Sequence, residues 1–180
     1  MSQDRPCVRA PNSCPRVVIV GAGFGGIRVA RSLAGANAQV LVIDRANHHL
    51  FRPLLYQVAT AGLGPESIAI PVRELLNDKQ DNADAMMAEV CGGDLERRVL
   101  FTSDGQEVDF DYLVLGAGGM PNLFGNDHWR PYLFHLGNLD AAMKLREHII
   151  ARYEIAARCQ DPAERRAHLT FVVIGGGPTG

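Results

Sequence analysis

The chain has 180 residues, and its 47% hydrophobic and 21% charged content is that of an ordinary globular protein, which argues against disordered, collagenous and disulfide-framework classes. Eighteen Lys and Arg against twenty Asp and Glu leave a net charge of −2, with no basic run to neutralise a track of phosphates, so nucleic acid is not the expected partner. The longest apolar stretch, Val17 to Ile27, is interrupted by glycines and too short for a bilayer about 30 Å thick. The opening MSQDRPCVRAPNSCPR carries prolines and charges where a secretory signal needs an apolar block, so the expected compartment is the cytoplasm. Cys7, Cys14, Cys91 and Cys159 are scattered without a CxxC pair and read as reduced thiols.

Residues 1–15 read as a flexible leader, because Pro6, Pro11 and Pro15 forbid regular helix and little is available to bury. From Arg16 the run Val17-Val18-Ile19-Val20 predicts a strand covered on both faces, as in a parallel sheet. Glycines follow at once, then helical spacing of Ile27, Val29, Ala30 and Leu33 up to Gly35, then a second buried strand, Val40 to Ile43, ending in Asp44. This is a βαβ unit. Residues 46–76, with paired histidines, Pro53, Gly62, Gly64, Pro65 and Pro71, predict a long functional loop with short helical pieces.

Residues 84–116 alternate like a β-meander: Ala85 to Val90, Val99 to Thr102, an Asp104-Gly105 turn, Glu107 to Phe110, and the apolar strand Tyr112 to Leu115. Met86 and Met87 read as strand packing. Asn138 is a candidate N-cap for a helix turning Leu139, Met143, Ile149, Ile150 and Tyr153 toward a core, and Asp161-Pro162-Ala163-Glu164 resembles a capping box opening another. Leu169 to Ile174 predicts one more buried strand, leading into GGGPTG.

Gly21-Ala22-Gly23-Phe24-Gly25-Gly26 satisfies GxGxxG, a pattern that carries weight only in context. Here the context is complete: a buried strand before it, an apolar helix after it, and Asp44 closing the second strand at about the expected 20-residue spacing. Gly21 permits the tight turn, Gly23 lets backbone approach a pyrophosphate, and Gly26 lets helix and strand pack closely. Exposed N–H groups and the helix dipole hold the phosphates, and Asp44 accepts from an adenosine ribose. Gly175-Gly176-Gly177-Pro178-Thr179-Gly180 repeats the pattern after an apolar run, and two fingerprints point to two dinucleotides, with hydride passing from a nicotinamide to a flavin.

His48 and His49 read as loop anchors rather than metal ligands, since adjacent side chains diverge and no partner stands at ligand spacing, so no metal site is assigned. Arg45 and Arg52 are candidate charge-assisted phosphate donors or surface residues. Cys159, in a polar stretch with no second cysteine nearby, does not suggest cysteine redox chemistry.

From Arg16 to Gly180 the sequence resembles the first part of a type II NADH dehydrogenase, the single-subunit, FAD-dependent NADH:quinone oxidoreductase. The segments carrying the resemblance are NHHLFRPLLYQVATAGLGPESIAIPVRELL at 47–76, FDYLVLGAG at 110–118, LFGND with Trp129 at 123–129, and TFVVIGGGPTG at 170–180. The resemblance implies an α/β fold: a doubly wound Rossmann-like FAD-binding domain with a β-meander, plus the first strand of a truncated second dinucleotide-binding domain. Residues 16–137 would form the incomplete FAD domain, 138–168 a helical connection and 169–180 the start of the NADH domain. It implies that the first fingerprint binds FAD, that Gln57, Thr60 and Gly62 lie near the isoalloxazine, and that 110–118 is the strand returning to the flavin sheet, with Ala117 and Gly118 bordering the cofactor. The family usually has Ala-Thr-Gly where this chain has Gly116-Ala117-Gly118, which removes one hydroxyl donor.

Gly175, Gly177 and Gly180 would hold NADH, the substrate that reduces the flavin before quinone takes two electrons. No side-chain acid or nucleophile is demanded for the hydride step, so no catalytic residue is assigned. The expectation is an N-terminal fragment, inactive alone, of an enzyme peripheral to the cytoplasmic face of the inner membrane. Membrane contact would come only through the absent C-terminal region, and a homodimer is left open. The alternatives are a flavin- or nucleotide-binding module that needs a partner chain, and a related pyridine nucleotide-disulfide or sulfide:quinone oxidoreductase-type flavoprotein.

Overall fold

The computed structural model describes residues 14–77, 81–177 and 179. Most of the expected leader, Cys7, Pro178 and Gly180 lie outside the described residues. The described residues fall into two compact units, one drawn from Met1–His49 and Pro71–Gly118, the other from Leu50–Ile70 and Gly119–Gly180.

The first unit is built on a parallel sheet of β1 (Arg16–Val20), β2 (Gln39–Asp44), β5 (Ala83–Met87) and β9 (Tyr112–Leu115), in the order β5-β2-β1-β9. Alternation along the β-branched run divides the core in two. Val17, Ile19, Val40 and Val42 face Ile27 and Ala30 of α1 (Phe24–Ser32) and Val72 and Leu76 of α3 (Val72–Asn77). Val18, Leu41 and Ile43 face Leu100, Val108 and Phe110. Those last residues belong to an antiparallel meander of β6 (Val90–Asp94), β7 (Val99–Thr102) and β8 (Glu107–Asp109) and the residue that follows it. The fold is thus the expected α/β, Rossmann-type sheet with a β-meander, and the meander covers the face opposite α1 and α3.

Ala85 to Val90 is not one strand of the meander, and Tyr112 to Leu115 lies outside it, paired in parallel with β1. The chain changes sheets at Ala88-Glu89, so that β5 pairs in parallel with β2 while Val90 opens the antiparallel sheet. Met86 packs on the core, but Met87 is exposed. Buried Arg16 ties the start of β1 to the meander: its guanidinium meets Asp109 at 2.8 Å, and its backbone N–H donates to Asp111 Oδ2 at 2.7 Å. The Asp104-Gly105 turn is present, closed by the Thr102 hydroxyl on Asp104, which holds that carboxyl below the usual range. Two short strands, β3 (His48–Leu50) and β4 (Ala69–Pro71), form a separate sheet.

In the second unit, Leu55, Val58 and Ala59 of α2 (Leu55–Ala59) pack with Ile68 against Ala142 of α4 (Leu139–Arg158). Asn138 caps α4 as expected, its side-chain oxygen accepting from the Ala141 N–H at 2.8 Å. Asn138→Ala is expected to cost about 1 kcal/mol in thermal or denaturant unfolding. Asp161 likewise caps α5 (Pro162–His168), accepting from the Ala163 N–H at 3.0 Å.

Two expectations fail in this unit. Ile150 and Tyr153 are exposed on α4 rather than turned to a core, and Tyr153 stacks on Phe171 at 6.1 Å. Leu169 to Ile174 is not a strand, with Val172, Val173 and Ile174 exposed. A parallel strand exists only through ladder bonds to neighbours, and the pairings among the described residues include none for this run. No helix among the described residues is long and apolar enough to cross a membrane.

Candidate functional site

The glycine turn lies at the carboxyl end of β1, where β1 meets β2 on one side and β9 on the other. In open α/β sheets this reversal of strand order is where ligands bind. Gly21 has φ +104°, and its N–H donates to the Ile43 carbonyl at 2.7 Å. A Cβ on Gly21 would stand 2.3 Å from the Gly116 carbonyl oxygen, while Gly116 donates to the Val20 carbonyl at 2.7 Å. A Cβ on Gly26 would stand 1.8 Å from the Gly21 carbonyl oxygen. These glycines let β1, β9 and α1 converge. Gly23 and Gly25 differ: both are exposed, and a Cβ on either meets no atom within 4 Å.

Asp44, at the end of β2, reaches this turn. Its Oδ2 accepts from the Ala22 N–H at 2.7 Å and its Oδ1 from the Ala46 N–H at 2.8 Å. Each carboxylate oxygen keeps acceptor capacity beyond one backbone bond, as a pair of ribose hydroxyls would require. Beside it, at the carboxyl ends of β2 and β5, is a pocket of about 210 Å³ lined by Asp44, Asn47, Arg73, Met86 and Met87 among others. An open glycine turn at a helix N-terminus, an acidic strand end and an adjoining pocket fit an adenine-linked diphosphate.

Two contributors were not assigned to the turn from sequence. His49, 9% exposed, brings Nδ1 within 2.7 Å of the Ala22 carbonyl oxygen and meets Phe24 edge-on, ring centroids 5.1 Å apart. It is the loop anchor expected, and what it anchors is the fingerprint. Asn82 places its amide nitrogen 3.0–3.1 Å from the carbonyls of Leu33, Ala36 and Ala38, bracing the link from α1 to β2. Neither has a motif; a single side chain reaching a distant carbonyl leaves no periodic signal.

Of the remaining expected residues in the first unit, Arg45 is exposed, and Ala117 and Gly118 (φ +74°) are exposed just past β9. In the second unit, Gln57, Thr60 and Gly62 gather at the end of α2: the Gln57 carbonyl accepts from Gly62 at 2.7 Å, and the Thr60 hydroxyl donates to the Tyr56 carbonyl at 2.9 Å. Arg52 is exposed. Gly175 has φ +105°, close to the +104° of Gly21, and Gly177 is exposed.

Cys14, Cys91 and Cys159 are free thiols. Cys159, Glu164 and His168 each bring a ligand-type atom within 4.8 Å of the others. The Arg152 guanidinium, a donor only, lies 3.3 Å from His168 Nδ1. Nδ1 therefore accepts, and the ring proton sits on Nε2, 4.0 Å from Glu164 Oε1. The imidazole turns an N–H, not a lone pair, toward that carboxylate. Burial first, then Glu164 and Asp161, push the Cys159 thiol up, away from the thiolate that nucleophilic or redox chemistry needs.

The chain is 38% identical over 181 residues to the type II NADH:quinone oxidoreductase Ndh of Mycobacterium tuberculosis, covering 99% of this chain and 39% of that protein. It is 30% identical over 174 residues to the mitochondrial external alternative NADH-ubiquinone oxidoreductase of Yarrowia lipolytica, covering 91% of this chain and 30% of that one. The chain therefore spans well under half the length of these relatives. The structure of NDH2 from Plasmodium falciparum in complex with NADH superposes with a TM-score of 0.75 at 20% identity, over 84% of this chain and 32% of that one, and shares the fold. The pyridine nucleotide-disulphide oxidoreductase family matches residues 15–180, and the chain belongs to that family.

Proposed function

We propose that residues 16–137 hold FAD and that the protein carrying this chain transfers electrons from NADH to a quinone. The observation that supports this reading best is the Asp44 carboxylate bonded to Ala22, beside an open Gly23 at the head of α1. The names of the relatives, type II NADH:quinone and NADH-ubiquinone oxidoreductases, agree with it. When bound, a flavin takes hydride from a nicotinamide and releases its electrons singly or in pairs.

The chain's own residues bind and orient. Gly23 and the first turn of α1 offer N–H groups to the diphosphate, and Asp44 accepts from the adenosine ribose. Gln57, Thr60, Gly62, Ala117 and Gly118 are assigned to the flavin end. Gly175, Gly177 and Gly180 are assigned to NADH, the substrate. The reading puts the enzyme on the cytoplasmic face of the inner membrane as a peripheral protein, in contact with its quinone.

Flavin retention tests this. The purified chain, loaded with FAD and desalted, is expected to keep about one flavin per chain in its absorbance spectrum. A chain folded by circular dichroism that emerges colourless would overturn the reading.

A further inference from the structure

Resting on the flavin reading and deepening it, we propose that His49 is a positioning residue that fixes the direction of the Gly23 N–H, the donor that meets the diphosphate. His49 Nδ1 stands 2.7 Å from the Ala22 carbonyl oxygen. A carbonyl only accepts, so Nδ1 carries the proton. Ala22 is 2% exposed, and its own N–H is held by Asp44 Oδ2 at 2.7 Å, so its peptide groups are gripped from both ends.

The Ala22-Gly23 peptide is trans, and in a trans peptide the C=O and N–H point in opposite directions. A carbonyl held on buried His49 therefore turns the Gly23 N–H away from the imidazole, and Gly23 itself is exposed. Glycine at position 23 tolerates backbone conformations barred to other residues, so this peptide turns more readily than one between two substituted residues unless it is held. Phe24 stands edge-on to the imidazole at 90°, limiting the ring's rotation. His49 lies in β3, outside the fingerprint, yet it holds the Ala22-Gly23 peptide, while the other peptide of the middle glycine is held by the Ile27 N–H on the Gly23 carbonyl at 3.0 Å.

The test compares His49→Leu and His49→Asn with the wild-type chain, titrating FAD, ADP and adenosine well below the melting temperature. Asparagine places an N–H donor near the position of Nδ1; leucine does not. The His49→Leu chain is expected to bind FAD and ADP about tenfold more weakly, the worth of one buried hydrogen bond, with adenosine affinity unchanged. His49→Asn is expected to stay within about threefold of wild type, which keeps the proposal testable if the leucine variant does not fold. Equal losses for ADP and adenosine, unaltered FAD affinity in His49→Leu, or an asparagine variant folded but as weak as the leucine one would each overturn it. A folded wild-type chain that binds neither FAD nor ADP would instead remove the flavin reading itself.

Discussion

Gly26→Ala is expected to prevent the first unit from folding, whether or not flavin is present. The added Cβ would sit 1.8 Å from the Gly21 carbonyl oxygen and 3.0 Å from its carbon. The obstruction is backbone, so no rotamer can relieve it. Nor can Gly21 retreat: its N–H is bonded to Ile43, its φ of +104° suits glycine, and Gly116 packs against it. Separating α1 from β1 would open the core of Ile19, Ile27 and Ala30, at a cost above the ~1–3 kcal/mol of ordinary overpacking. Against a total stability of about 5–15 kcal/mol that is a large share. Gly25→Ala is the matched control, because its Cβ meets nothing within 4 Å and alanine favours helix. Thermal unfolding by circular dichroism should show Gly26→Ala without the first unit's cooperative transition and Gly25→Ala melting at or slightly above wild type.

Asp44→Ala is expected to weaken FAD binding about 100-fold while leaving the chain folded. The substitution removes the acceptor for the Ala22 N–H at 2.7 Å and the Ala46 N–H at 2.8 Å, together with the proposed contact to the ribose. Hydrogen bonds to a charged group contribute about 1.5–3 kcal/mol each, so losing the ribose contact falls on affinity, while losing the two backbone bonds falls on stability and lowers the melting temperature. Asp44→Asn keeps one acceptor oxygen but turns an NH₂ toward one of the two backbone donors, and should fall between. Flavin fluorescence titration below the melting temperature separates affinity from folding. An alanine variant binding FAD as tightly as wild type would remove Asp44 from the site.

The features legible in the sequence are those with periodic or positional signals. The β-branched run at 17–20, the glycine spacing and Asp44 predicted the central βαβ unit, and the structure brings Asp44 onto the turn. Asn138 and Asp161 were legible because a cap has a fixed position relative to the helix it opens. Strand alternation could not tell which sheet Ala85 to Val90 joins, since it reads alike in either; the chain crosses between sheets within that stretch. The apolar run at 169–174 has a strand's composition but lacks a ladder partner among the described residues, and hydrophobicity alone does not make a strand. His49 was legible as an anchor and not as part of the fingerprint, because its partner carbonyl lies on the far side of a helix and a strand in the chain.

A crystal structure of the chain with FAD bound measures directly where the adenosine diphosphate group sits. It is expected to place diphosphate oxygens within about 3 Å of the Gly23 N–H and the adenosine ribose hydroxyls on Asp44, with the Ala22 carbonyl still held by His49. A diphosphate bound away from this turn, with Asp44 touching only Ala22 and Ala46, would contradict it.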